Sequence, residues 1–145
     1  MNIIQIQNKG YIRVDVVAEH TFRIRQNETN EFTEGTLNRY GILKNDKSEC
    51  LYKIRDDEST CTILTEKAEL CVDRLTGKII IKNSQEQVLL ENSSDPKNEK
   101  GYDLRFKLDK TEKLYGLGDV TRDRIEKRGF RTKMWVTNVA SYIPI

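Results

Sequence analysis

Between residues 11 and 17 the side chains alternate. Ile12, Val14 and Val16 fall on one face, and Arg13 and Asp15 fall on the other. Successive side chains of an extended chain point to opposite sides, so a period of two predicts a strand. Residues 20–25 repeat the pattern, with Phe22 and Ile24 on the apolar face and Arg23 and Arg25 on the polar face. Residues 51–55, 61–65 and 102–108 are further predicted strands, the last through Tyr102, Leu104, Phe106 and Leu108. One dry face and one wet face is the pattern of an antiparallel sheet with a solvated side.

A hairpin is predicted over residues 68–82. Ala68, Leu70 and Val72 alternate with Glu69, Cys71 and Asp73, and Thr76-Gly77 supplies a residue free to take positive φ. The β-branched run Ile79-Ile80-Ile81 then returns. No segment carries a helical stripe over three turns, and two stretches, 26–38 and 91–101, read as polar loops. Roughly ten short strands at regular spacing predict an all-β fold, an antiparallel two-sheet β-sandwich. At 145 residues, with no internal repeat and no dividing linker, the chain reads as one domain.

Charge narrows the partners. Apolar residues make up 37% and charged residues 33%, yet the net charge is only +2 because Lys and Arg are interleaved with Asp and Glu. No basic tract exists to track a phosphate backbone, so nucleic acid is excluded as a partner. No stretch approaches the length needed to cross a bilayer, and Met1-Asn2-Ile3-Ile4-Gln5 has no signal-peptide character, so no membrane role is expected. Cys50, Cys61 and Cys71 match no zinc spacing and leave one cysteine over if two pair. Reduced structural thiols in a cytoplasmic protein account for them. The sequons at Asn27-Glu28-Thr29 and Asn92-Ser93-Ser94 matter only in a secreted eukaryotic protein.

Candidate chemistry is sparse. The single histidine, His20, falls in a predicted strand, which rules out a histidine-based triad and a histidine metal cluster. Asp56-Asp57-Glu58 reads as a hairpin tip, and Asp119 with Asp123 is a carboxylate pair only on paper. Acid/base work on a sugar needs two carboxyls flanking one bond. Tyr115-Gly116-Leu117-Gly118-Asp119 contains Gly-x-Gly but lacks the third glycine and the P-loop Lys-Ser/Thr. It reads instead as a strand bend where backbones approach closely.

Four motifs occur in order: Glu112-Lys113-Leu114-Tyr115-Gly116-Leu117-Gly118-Asp119, Lys127-Arg128-Gly129, Met134-Trp135-Val136-Thr137-Asn138 and Tyr142-Ile143-Pro144-Ile145. In order and spacing they resemble the N-terminal domain of glycoside hydrolase family 31, which contains α-glucosidases and α-xylosidases. The resemblance is strongest over residues 112–145 and extends more loosely through residues 20–25 and 73–78. It implies a galactose-mutarotase-like β-sandwich that precedes a catalytic (β/α) barrel. The nucleophile and acid/base are then aspartates on that barrel, in a retaining reaction on an α-linked sugar. No catalytic residue, metal or cofactor is implied within this chain. Its partners are the barrel of the same parent chain and, in the intact enzyme, the sugar.

The resemblance also implies that the sandwich lends a loop to the substrate mouth. Relatives often read Trp-x-x-Asp there, with the Asp hydrogen-bonding sugar hydroxyls. Trp135-Val136-Thr137-Asn138 places Asn at the matching position. Asn138 keeps a carbonyl acceptor and adds an amide donor but loses the charge, which leaves the substrate class open. Trp135 fits interdomain packing as well as sugar stacking, and Asn138 fits a turn as well as substrate contact. Substrate-binding residues are thus expected at Trp135 and Asn138.

Residues 141–145 are apolar and uncharged, whereas natural C-termini are usually polar. The chain is therefore expected to be a domain spanning 1–145, cut at its C-terminal end, with residues 142–145 either disordered or buried against another copy. A free-standing carbohydrate-binding or interaction module is the rival reading.

Overall fold

The computed structural model describes residues 2–42, 50–93, 97–98, 101–102, 105–115 and 125–129. Residues Met1–Lys107 form one compact unit and Leu108–Ile145 a second.

The first unit is built from two antiparallel meanders. β1 (Asn2–Ile6), β2 (Gly10–Ala18) and β3 (Thr21–Asn27) form a three-stranded sheet in chain order. A single helical turn, α1 (Thr36–Arg39), follows in the connection. β4 (Lys53–Asp56), β5 (Thr60–Leu64), β6 (Ala68–Asp73), β7 (Ile79–Asn83) and β8 (Val88–Glu91) form a five-stranded sheet, again in chain order. β9 (Lys97–Asn98) and β10 (Gly101–Tyr102) make a small separate pair.

Register follows from burial. Ile4 sits opposite Ile12, and Val14 is flanked by Asn2 and Ile24, so the apolar residues of three strands share one face. In the larger sheet Ile63 pairs with Leu70 and Leu70 with Ile81, which aligns a second apolar row. Ile4, Ile6, Ile12 and Val14 of the first sheet form one core with Cys61, Ile63, Leu70 and Val72 of the second. A one-residue slip would turn either row into solvent, so burial itself locks the register. This is the expected β-sandwich.

Gly10 is required where β2 begins. Its φ is +90°, and a Cβ there would sit 2.3 Å from the carbonyl oxygen of Asn27. Only glycine allows β2 and β3 to close at this point. At the same end of the sandwich Arg74 ties the β6–β7 turn to β1 and to the β4–β5 turn. It donates to the carbonyls of Gln5 (3.4 Å) and Asp57 (3.2 Å), and it pairs with the Asp56 carboxylate.

Several elements differ from the sequence reading. His20 lies in the exposed turn between β2 and β3 rather than in a strand, because Ala18 pairs with Thr21 and leaves Glu19-His20 as the tip. β1 and β8 were not anticipated. Of the expected strand over 102–108, residues 103–104 lie outside the described residues; Tyr102 pairs with Lys97, and Phe106 makes an isolated bridge to Asn92. Alternation makes a strand only where a partner edge runs beside it, and Phe106 remains 47% exposed.

Candidate functional site

A cleft of about 680 Å³ opens between the two sheets. Phe22 and Ile24 of β3 line one wall, and Ile79 and Ile81 of β7 with Leu90 of β8 line the other, with Phe106 beside them. Phe22, Ile24, Ile79 and Ile81 are only partly buried, packed on the core from one side. Among the described strands, three face five, so the smaller sheet leaves part of the larger sheet's inner face uncovered. The cleft is shaped for apolar surface. Among its described lining residues only Glu31 carries a carboxylate, whereas glycoside cleavage needs two.

Asn92 anchors one rim. It is 4% exposed, and its side-chain oxygen accepts the backbone N–H of Ile79 at 2.6 Å, extending the β7–β8 pairing past the end of the ladder. Beside it, Glu91 is held between Lys107 (2.7 Å) and Lys78, and these cations, Lys107 first, keep its carboxyl below the usual range.

On the outer face of the small sheet, Asp15 bridges Arg13 (2.9 Å) and Arg25 (2.6 Å), and Glu34 bridges Arg23 (3.1 Å) and Arg25 (3.6 Å). Burial pushes the Asp15 carboxyl up, but the hydrogen bonds and charges of the two arginines outweigh it and leave the group low. This network escapes a reading by period, because alternation shows which face Arg23 and Arg25 occupy but not which loop residue meets them.

In the second unit two of the family motifs lie side by side. Tyr115 bridges Glu126 in antiparallel sense, and the N–H of Lys127 donates to the carbonyl of Leu114 at 2.7 Å. Arg128 fixes the approach, donating from Nη1 to the carbonyls of Asp109 and Glu112, both at 2.6 Å. Lys127 is 5% exposed. Glu112–Tyr115 and Lys127-Arg128-Gly129 are thus structural partners within one small fold.

The carboxylates and thiols near the turns have structural surroundings. Asp57 accepts the Ser59 hydroxyl and the backbone N–H groups of Thr60 and Ser59, which lower its pKa to about 2. That is the chemistry of a turn cap, as expected for residues 56–58. Burial, with the nearby Asp56 carboxylate second, pushes the Cys61 thiol up to about 11, so it is poorly nucleophilic. Cys50, Cys61 and Cys71 are all free. Among the described residues no His, Cys, Asp or Glu cluster could hold a metal, and no helix is long and apolar enough to cross a membrane. Trp135 and Asn138, the expected sugar-contacting residues, lie outside the described residues, as do Asp119, Asp123, Gly116 and Gly118.

Comparison with known proteins bears on this geometry. The family model for the glycosyl hydrolase 31 N-terminal galactose mutarotase-like domain matches residues 11–144, from the start of β2 through the paired motifs and beyond. No curated protein sequence matched the chain.

Proposed function

This chain belongs to the family of glycosyl hydrolase 31 N-terminal galactose mutarotase-like domains, and we propose that it serves as the non-catalytic N-terminal domain of a retaining α-glycosidase acting on α-glucosides or α-xylosides. The observation that carries this reading is the match over residues 11–144, laid on a sandwich whose two sheets share one core. Among the described residues that line the cleft there is one carboxylate, Glu31, whereas glycoside cleavage needs two. In this reading the sandwich packs on a catalytic barrel, and aspartates on the barrel perform the chemistry. The stretch from Trp135 to Asn138 reaches the substrate mouth. There Asn138 holds a sugar hydroxyl through its amide, and Trp135 packs at the rim. The free thiols support a cytoplasmic setting.

The test is kinetic. The purified chain, incubated with 4-nitrophenyl α-glucoside and α-xyloside, shows no turnover. In the parent enzyme Asn138→Ala raises KM by about tenfold, the scale of one lost sugar hydrogen bond. Turnover by the isolated chain that survives repurification would overturn the reading, as would an unchanged KM.

A further inference from the structure

Among the described residues β3 ends its sheet, and a segment of the same chain covers its outer edge. The segment 31–34 runs antiparallel beside it, yet among the described residues no backbone–backbone hydrogen bond joins the two. Side chains make the connection instead. Asn27 Nδ2 donates to the carbonyl of Glu31 at 2.6 Å, and Arg25 Nη1 donates to the carbonyl of Thr33 at 3.1 Å. Arg23 donates from both terminal nitrogens to Glu34 Oε2 at 3.1 Å. Phe32 lies beneath the Arg25 guanidinium, 5.8 Å from ring centre to Cζ, and lines the cleft. The segment therefore covers the edge as a strap, held by exposed polar contacts, and does not continue the ladder.

An open strand edge beside an apolar cleft is a site for strand addition. The register of β3 fixes what a new strand must look like. Its inward residues would lie next to Phe22 and Ile24, in the cleft, and must be apolar. Its outward residues would lie next to Arg23 and Arg25, where opposite charge across strands is favourable and like charge is not. The irregular strap offers one apolar residue, Phe32, to the cleft and one carboxylate, Glu34, to Arg23 and Arg25. A second copy of β3 fits poorly, since antiparallel pairing about Ile24 sets Arg23 against Arg25.

We propose that the edge of β3 is a docking site for an extended segment of another polypeptide, apolar on one face and acidic on the other, and that residues 31–34 are the strap it displaces. Binding trades the Glu34 contacts for carboxylates of the partner, fills the cleft and completes the backbone ladder.

The probe is a capped, fluorescein-labelled peptide of about six residues, the usual strand length, alternating valine and glutamate. Its binding to the full chain is followed by anisotropy, with a valine–lysine peptide as control. Glu34 is exposed, so Glu34→Gln leaves the fold intact, and circular dichroism verifies this. The expected results are binding of the acidic peptide only, about threefold tighter binding to Glu34→Gln, the scale of one exposed ion pair, and weaker binding to Arg23→Gln. Amide exchange across residues 21–27 slows on binding. Equal binding of both peptides overturns the proposal, as does binding unchanged by Glu34→Gln and Arg23→Gln, or absence of binding to every variant. If Glu34→Gln dimerises without taking peptide, the edge recruits a second copy and the proposed partner is wrong.

Discussion

Asn92 and Ile79 are joined twice: the side-chain oxygen of Asn92 accepts the N–H of Ile79 at 2.6 Å, and the N–H of Asn92 donates to the carbonyl of Ile79 at 3.2 Å. The pair holds the end of β8 against β7 where the ladder would otherwise fray. Asn92→Ala leaves the Ile79 N–H without that acceptor in a partly buried position. The expected loss is about 1–3 kcal/mol, read from the shift of the urea midpoint at constant m value.

Gly10 and Gly41 separate steric overlap from backbone strain. Both have positive φ, but a Cβ at Gly41 meets nothing within 4 Å, whereas one at Gly10 overlaps the Asn27 carbonyl. Gly41→Ala therefore costs about 1 kcal/mol, the left-handed penalty alone. Gly10→Ala costs on the order of 2 kcal/mol or more and lowers exchange protection across the β2–β3 pairing. Equal costs in denaturant titrations would contradict the close approach.

Stability should fall on the acid side. Asp57 is lowered to about 2, chiefly by the Ser59 hydroxyl, and Asp73 is lowered chiefly by the Thr76 hydroxyl. Glu91 is lowered by Lys107 and then Lys78. A carboxyl that binds protons less readily when folded adds stability above its unfolded pKa and loses it as pH falls through the folded value. Tm is thus flat above about pH 5 and falls between about pH 4 and 2. Asp57→Asn flattens the lower part of that fall. An unchanged profile in this variant would show that the turn cap is not linked to folding.

The thiols differ in reactivity. Cys61 is 3% exposed with its pKa pushed up to about 11, while Cys50 and Cys71 are half-buried. Iodoacetamide at neutral pH labels Cys50 and Cys71 in the folded chain and reaches Cys61 only in urea, where all three react. Mass spectrometry of the labelled peptides reads the outcome. Labelling of Cys61 at the rate of Cys71 would contradict its burial.

What could be read from the sequence, and what could not, follows from where period two survives. β2, β3, β5 and β6 alternate in sequence, and in β5 and β6 burial alternates with it. β7, which opens on a run of three isoleucines, was legible only through the Thr76-Gly77 turn that precedes it. β8 was hidden because Val88, Leu89 and Leu90 are consecutive apolar residues. A register irregularity at Ile81/Lys82 in its pairing with β7 breaks the alternation there. β1 was hidden by the outward Ile3 beside the inward Ile4. The family was legible through motifs, two of which the structure joins through the Lys127 N–H and the Leu114 carbonyl. The strap on β3 was not, since residues 31–34 are joined to it through side chains and not through any periodic pattern. Trp135 and Asn138 rest on the resemblance, as they lie outside the described residues.

The central claim is that this sandwich is the non-catalytic N-terminal part of a retaining α-glycosidase. Its most direct test is the product anomer released by the full-length protein encoded by the reading frame that contains these codons, followed by proton NMR on an aryl α-glucoside and an aryl α-xyloside. The account predicts cleavage of at least one of them with the α-anomer appearing first, and no cleavage by residues 1–145 alone. A full-length product that cleaves neither substrate, or one that releases the β-anomer first, would contradict it.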